Sequence, residues 1–231
     1  MEFVGQGLAE GLARLARLDP DVIDATRTSL IVSGAATALS LATGVPLGAA
    51  LGLVRFRGRR IVLSLVNTGM GLPPVVVGLF VAVFIWRSGP FGDLNWYCTR
   101  QAMISAQYIL AAPPIIGLTA AAMQSLDPML RTQVEALGAS RLQLLWIVIG
   151  ESRLLLLVAA MAGFGEIISE IGASLMVGCN IRGETRILST AITLETGRGE
   201  FGAAFALAFI LLGLIFVVNL VTTSIQQRRA S

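Results

Sequence analysis

Histidine and lysine are missing from this 231-residue chain, and only 2 cysteines occur. Without histidine there is no imidazole for a metal site and no His-dependent catalytic triad. Two cysteines alone make neither a Cys₄ cluster nor a zinc site. No cofactor and no metal are therefore expected. Charge is scarce as well: 13% of residues are charged, against about a quarter in soluble domains. Hydrophobic residues make up 55%, and the mean hydropathy is +0.79. So few charges would leave large apolar patches of a globule exposed to water. A lipid bilayer is the expected solvent, and no nucleic-acid partner is expected.

What is present is apolar sequence in long runs. Five stretches stand out, near Ser29 to Val54, Ile61 to Trp86, Met103 to Met123, Leu154 to Val177 and Phe201 to Ile225. Each is long enough to cross a hydrocarbon core of about 30 Å at 1.5 Å per residue. Backbone amides in lipid need internal partners, and the alternation of a β-barrel is absent, so the stretches are expected to be helices. The fold class expected is all-α, a polytopic membrane protein with about five transmembrane helices. Residues 1–28 form a separate N-terminal segment, and residues 29–231 form the transmembrane domain. That domain includes a cytoplasmic segment at 127–153 and an outer loop at 178–200.

The N-terminal segment does not have the pattern of a signal peptide, because Glu2, Glu10, Arg14 and Arg17 interrupt any apolar core. Phe3, Val4, Leu8, Leu12 and Leu15 recur at helical spacing. That pattern fits an amphipathic helix on the membrane surface, or a solvated helix packed on its neighbours. Orientation follows from arginine. Arg55, Arg57, Arg59 and Arg60 crowd the turn after the first span, and Arg228 and Arg229 follow the last. Arg131, Arg141 and Arg153 fall on that same face, which is expected to be cytoplasmic. The N-terminus is then outside and the C-terminus inside. Cys98 and Cys179 both fall on the outer face, and the sequence leaves open whether they pair. Gly44, Gly48 and Gly52 form a stripe that lets another helix approach closely.

Residues 127–153 carry the pattern helix, Gly turn, helix. Met129, Leu130, Val134 and Leu137 suit one helix, Gly138 a sharp turn, and Ser140 the N-cap of a second helix with Leu142, Leu144, Leu145 and Ile147. An apolar ridge edged by Arg131, Glu135 and Arg141 suits a groove on a partner, the alternative being a plain linker. In the spans, Gly69, Gly71, Pro73 and Pro74 interrupt the second, and Pro113 and Pro114 the third. Prolines leave carbonyls one turn back without donors. Such breaks fit a pathway or its gate, or ordinary kinked packing. Glu166 and Glu170 lie four residues apart inside the fourth stretch, hence on one helical face turned to protein or water. Fixed negative charge there would repel an anion, which argues against a tight binding site and for a weak passage or, the favoured reading, structural pairing with arginine or backbone amides. In the outer loop, Asn180, Arg182, Thr185 and Arg186 include two cations that suit anion steering or a partner's acids.

Gly138-Ala139-Ser140-Arg141, with helices on either side, resembles the cytoplasmic signature of binding-protein-dependent ABC importer permeases. The family's Glu-Ala-Ala triplet stands here as Thr132-Gln133-Val134, with Glu135 one helical turn later. The stretches NTGMGLPPVVVGL from Asn67 and ISEIGASLMVGCNIRGETRILSTAITLETGRGEF from Ile168 resemble tungstate-type oxyanion permeases, with molybdate and sulfate permeases as relatives. The resemblance implies the type I importer fold, with coupling to an ATPase through Arg131, Glu135, Gly138, Ala139, Ser140 and Arg141. It also implies contact of Asn180, Arg182, Thr185 and Arg186 with a soluble oxyanion-binding protein. A homodimer with two ATPase subunits in a bacterial or archaeal plasma membrane follows in the same way. The chain has no Walker A motif, so it is expected to be non-catalytic, with ATP hydrolysed on a partner. Rival readings are a molybdate or sulfate permease, a membrane-embedded enzyme, and a proton-coupled transporter using the two glutamates.

Overall fold

The computed structural model describes residues 2–16 and 19–227, with the side chains of residues 2–5, Ala16, Pro128, Arg131, Glu135 and Arg141 outside that description. Arg17, Arg228 and Arg229 likewise lie outside the described residues. The order is α1 (Glu2–Ala16), α2 (Pro20–Leu53), α3 (Arg59–Met70), α4 (Pro74–Ile85), α5 (Arg100–Gln124), α6 (Pro128–Ala136), α7 (Arg141–Glu151), α8 (Arg153–Ile168), α9 (Gly172–Gly178), α10 (Leu188–Gly197) and α11 (Phe201–Gln227). No strand occurs among the described residues.

Three helices, α2, α5 and α11, are each long and apolar enough to cross a membrane, and two bent pairs raise the number to five. Helix α2 begins at Pro20, ahead of the apolar boundary at Ser29, because Asp19 caps it by accepting from the Asp21 amide at 3.0 Å and Pro20 supplies a helical φ at the first position. Its glycine stripe meets α5 in register. A Cβ at Gly44 would lie 2.9 Å from Ile115 Cγ2, and one at Gly52 would lie 2.5 Å from Met123 Cβ. Gly48 abuts the Ile116 carbonyl and Thr119. Numbers rise together along both helices, so α2 and α5 are parallel. The chain between them must recross, and the α3–α4 pair, bent by 101°, does so.

The return after α5 is antiparallel. Gly163 of α8 sits against Ile115, Ile167 lies by Gln107, and Gly178 of α9 meets Met103. A 76° bend between α7 and α8 marks where the chain enters this crossing. Helix α5 is the axis of the bundle, and its small residues Ala102, Ala106 and Ala111 are fully buried. The large apolar residues of α4 and α11, such as Phe80, Phe84, Leu212 and Phe216, point outward. In water that surface would be unfavourable; against lipid it is not.

Two expectations are corrected here. Helix α5 runs unbroken through Pro113 and Pro114. Close packing by α2, α3 and α8 holds its course, and Pro113 fills the space left by Gly69 of α3. The segment 178–200 is not simply a loop: α10 packs Leu188 and Ala191 with Val22, Ala25 and Leu207. The N-terminal α1 lies on α11, where a Cβ at Gly11 would come 3.0 Å from Phe205 Cβ, and Arg14 pairs with Glu10 at 2.7 Å.

Candidate functional site

The first break has an exposed elbow. Helix α3 ends as the Gly71 amide donates to the Thr68 carbonyl at 3.1 Å and Leu72 to Gly69 at 3.3 Å. Pro73 then extends the backbone, and α4 starts at Pro74. Neither proline has an amide to donate, so the helix ladder loses two donors at this point. Residues 70–76 are all exposed in the single chain. Polar backbone at membrane depth is tolerated only against protein or water.

The second break is closed by side chains. Helix α8 stops at Ile168, and Glu170 stands in the gap before α9. Its carboxylate is buried and accepts from the Ala173 amide at 2.6 Å, the Ser174 amide at 3.1 Å and the Ser174 hydroxyl at 2.9 Å. A carboxylate at a helix start meets unpaired amides and the positive end of the helix dipole. Gln107 of α5, fully buried, donates to the Ile167 carbonyl at the end of α8 and to Ser174 Oγ, both at 3.2 Å. Ser189 of α10 donates to the Glu170 carbonyl at 2.8 Å. Three helices thus satisfy one gap. Glu166, by contrast, is exposed on the last turn of α8. The two glutamates do not share a face of one continuous helix, because the chain breaks between them.

The breaks adjoin. A Cβ at Gly172 would lie 3.2 Å from the Val75 nitrogen, and one at Gly78 would lie 2.6 Å from the Ala173 Cα. Gly71, Pro73 and Pro74 of the first break and Glu170 of the second flank these contacts in sequence, Gly69 packs on Pro113 of α5, Pro114 is buried inside α5 and Glu166 is exposed. Sequence reasoning missed Gln107 and Ser189. An amide inside an apolar stretch was the available signal for Gln107, since it must find a partner away from lipid.

The outer loop is fastened from several sides. Cys98 and Cys179 form a disulfide with Cα atoms 5.1 Å apart. Arg100 donates to the carbonyls of Glu184 at 2.6 Å and Gly183 at 3.2 Å. Arg182 pairs with Asp21 at 2.6 Å and stays exposed. Thr185 is buried: its hydroxyl accepts from the Ile181 amide at 2.9 Å and donates to the Gly178 carbonyl. That corrects its expected place at a partner contact, since the side chain serves the loop. Asn180 likewise turns inward, accepting from Thr190 at 3.0 Å, and Arg186 is half-buried. Of the four residues, Arg182 alone is exposed, and its guanidinium is paired with Asp21.

At the opposite end, α6 and α7 meet at Gly138, whose φ is +79°. Ser140 caps α7 in a reciprocal pair with Gln143. Val134, Leu144 and Val148 are buried inward against Ala49 and Met123. Met129, Leu137, Leu142 and Trp146 face outward, Leu137 at 87% and Trp146 at 63% exposure. The side chains of Arg131, Glu135 and Arg141 lie outside the described residues; Ala139 is half-buried. Leu137 belonged to the apolar ridge read from the sequence, but Trp146 was not singled out, because a 3.6-residue pattern does not separate an inward apolar face from an outward one.

Residues 44–231 match the family of binding-protein-dependent transport system inner membrane components. The chain is 34% identical over 227 residues to the tungstate uptake system permease protein TupB of Peptoclostridium acidaminophilum, covering 98% of this chain and 100% of that one. It is 40% identical over 212 residues to a probable anion ABC transporter permease protein of Haloferax volcanii, covering 90% and 91%. In fold it is similar to a chain of the MetNI methionine ABC transporter in an inward-facing form, with TM-score 0.72, 17% identity, and 90% and 95% of the two chains covered.

Proposed function

From the premise that the chain belongs to the family of binding-protein-dependent transport system inner membrane components, we propose that it is the translocation subunit of an ATP-driven oxyanion importer, with tungstate as the first candidate cargo. The observation that carries this reading is the exposed elbow at 70–76, set against the second break inside a bundle of membrane-crossing helices. Two copies facing each other across their elbows would line a path with backbone and small residues. Gly71, Pro73, Pro74 and Glu166 stand on the exposed side, with Gly69, Pro113, Pro114 and Glu170 behind them. Glu170 is compensated by three donors, so an anion passing nearby meets less uncompensated negative charge.

In this proposal the α6–α7 element couples the path to two ATPase subunits. Gly138, Ala139 and Ser140 set its turn, and Arg131, Glu135 and Arg141 edge it. A soluble binding protein docks at the other end, beside Arg182. The surface segment expected at 1–28 is cut back to α1, since the first crossing helix, α2, already begins at Pro20, and the permease domain starts there rather than at residue 29. The named cargo of the relatives supports tungstate. Uptake of tungstate, molybdate and sulfate, each tested separately in cells lacking their own carriers, decides the cargo. Tungstate is expected to accumulate and to be competed most strongly by itself; accumulation of sulfate or molybdate alone rejects the tungstate assignment.

The arginine-rich turn places the α2–α3 end in the cytoplasm under this reading, and the disulfide suits the oxidising side. A cysteine at Gly58, in a background with Cys98 and Cys179 replaced by serine, is expected to resist impermeant thiol reagents in intact cells, whereas one at Asn95 reacts. Labelling at Gly58 from outside reverses the orientation.

A further inference from the structure

We propose that the turn between α2 and α3 is a binding site for the phosphate headgroup of an anionic phospholipid. Four arginines fall within six residues here, Arg55, Arg57, Arg59 and Arg60, and the chain carries no acidic residue between Asp24 and Asp93. The charge is therefore uncompensated along the chain itself. Arg59 is tied into the fold. Its guanidinium donates to the carbonyls of Leu51 at 2.7 Å and Gly52 at 3.3 Å, closing the C-terminal end of α2. Arg55, Arg57 and Arg60 are not tied in this way. They are exposed and make no ion pair or side-chain hydrogen bond among the described residues.

Arg55, Arg59 and Arg60 line a cleft of about 490 Å³ together with Phe56, Gly58 and Ile61. The cleft is shallow and open to the surroundings, which suits a headgroup held at a membrane surface. Gly58, at φ +91°, makes the sharp reversal that turns the arginine side chains around one concavity. The rim is apolar. Ile61 is 67% exposed and Leu65, one helical turn on along the same face of α3, is 66% exposed. Cations at one end and two exposed apolar side chains along α3 match an amphiphile. A free inorganic anion has no use for those side chains, which is why the headgroup of a lipid is the ligand assigned. The site stands apart from the junction of the two breaks and does not depend on the cargo.

The test uses the purified full chain, loaded with an equimolar mixture of phosphatidylglycerol and phosphatidylcholine, and native mass spectrometry of the lipids retained. The chain is expected to favour phosphatidylglycerol. Each arginine near an anionic headgroup contributes about fivefold, so Arg55→Gln, Arg57→Gln and Arg60→Gln together are expected to lower that preference by about a hundredfold. The corresponding triple lysine variant keeps the charge and is expected to keep most of the preference, which separates electrostatics from misfolding. Millimolar inorganic phosphate or tungstate should leave the lipid in place. An unchanged preference in the triple glutamine variant overturns the site, and displacement by either inorganic anion reassigns it to free oxyanions. Retention of lipid with loss of ATPase co-purification makes the turn a protein contact and also overturns the proposal.

Discussion

Glu170→Leu is expected to remove most of the assembled protein from the membrane. Leucine has similar bulk but no acceptor. The Ala173 amide, the Ser174 amide and the Ser174 hydroxyl would all lose their partner in a buried site. An unsatisfied buried donor costs about 1–3 kcal/mol, so three of them cost on the order of 3 kcal/mol or more, a large share of the margin of a typical domain. The damage spreads, because Ser174 also accepts from Gln107, which holds the end of α8. Glu170→Gln should be milder. Its carbonyl oxygen still accepts from the Ala173 amide, and the Ser174 hydroxyl can rotate to accept from the new NH₂ group. The Ser174 amide and the Ser174 hydroxyl proton are left without an acceptor, a loss on the order of 2 kcal/mol. Membrane abundance and the unfolding temperature of the purified chain are the measurements. Wild-type abundance for Glu170→Leu would show that the carboxylate does not hold the break. A Glu170→Gln protein that assembles normally but does not transport would point to ionisation of Glu170 as its function.

The second large effect is expected at the outward ridge of α6 and α7. Leu137→Asp and Trp146→Ala should each abolish co-purification of an ATPase subunit and its stimulation by loaded binding protein. Both side chains are mostly solvent-facing in the single chain, Leu137 at 87% and Trp146 at 63%, so the fold itself loses little by the change. An aromatic anchor in a partner's groove is the kind of contact whose truncation costs about 2 kcal/mol or more. Gly138→Val tests the same element through the backbone. A Cβ there would meet nothing within 4 Å, but φ is +79°. A β-branched residue in that region is strained by about 1–2 kcal/mol, which shifts the angle between the two helices. Spans and membrane insertion should be untouched in all three variants. Normal stimulated hydrolysis in both Leu137→Asp and Trp146→Ala would refute the docking assignment.

The elements that the sequence specified correctly are those set by local chemistry. Proline lacks a donor, so Gly71-Leu72-Pro73-Pro74 marked a weak point in the helix ladder, and the chain breaks there. A glycine followed by Ala-Ser predicted the turn at Gly138 and the cap at Ser140, and both are present. Long apolar runs predicted the crossing helices, and α2, α5 and α11 occupy them. The glycine stripe of α2 signalled close approach without naming its partner, which is α5.

Other features depended on residues far apart in the chain. The same rule that broke α3 from α4 failed at Pro113 and Pro114, because packing on three sides keeps α5 straight where α3 and α4 have an open side. The pairing of Cys98 with Cys179 spans 81 residues, and no local pattern fixes such a distance. Glu166 and Glu170 looked equivalent by spacing, yet one is exposed and the other caps α9. What separates them is a helix break that Gln107 and Ser189 make tolerable by supplying donors from two other helices. Hydrophobicity and backbone chemistry act within a turn or two of helix, so the sequence alone determined the solvent, the helices and their local stops. Satisfying a buried polar group requires partners brought from elsewhere, and only the tertiary structure decided which breaks would close over side chains and which would stay open.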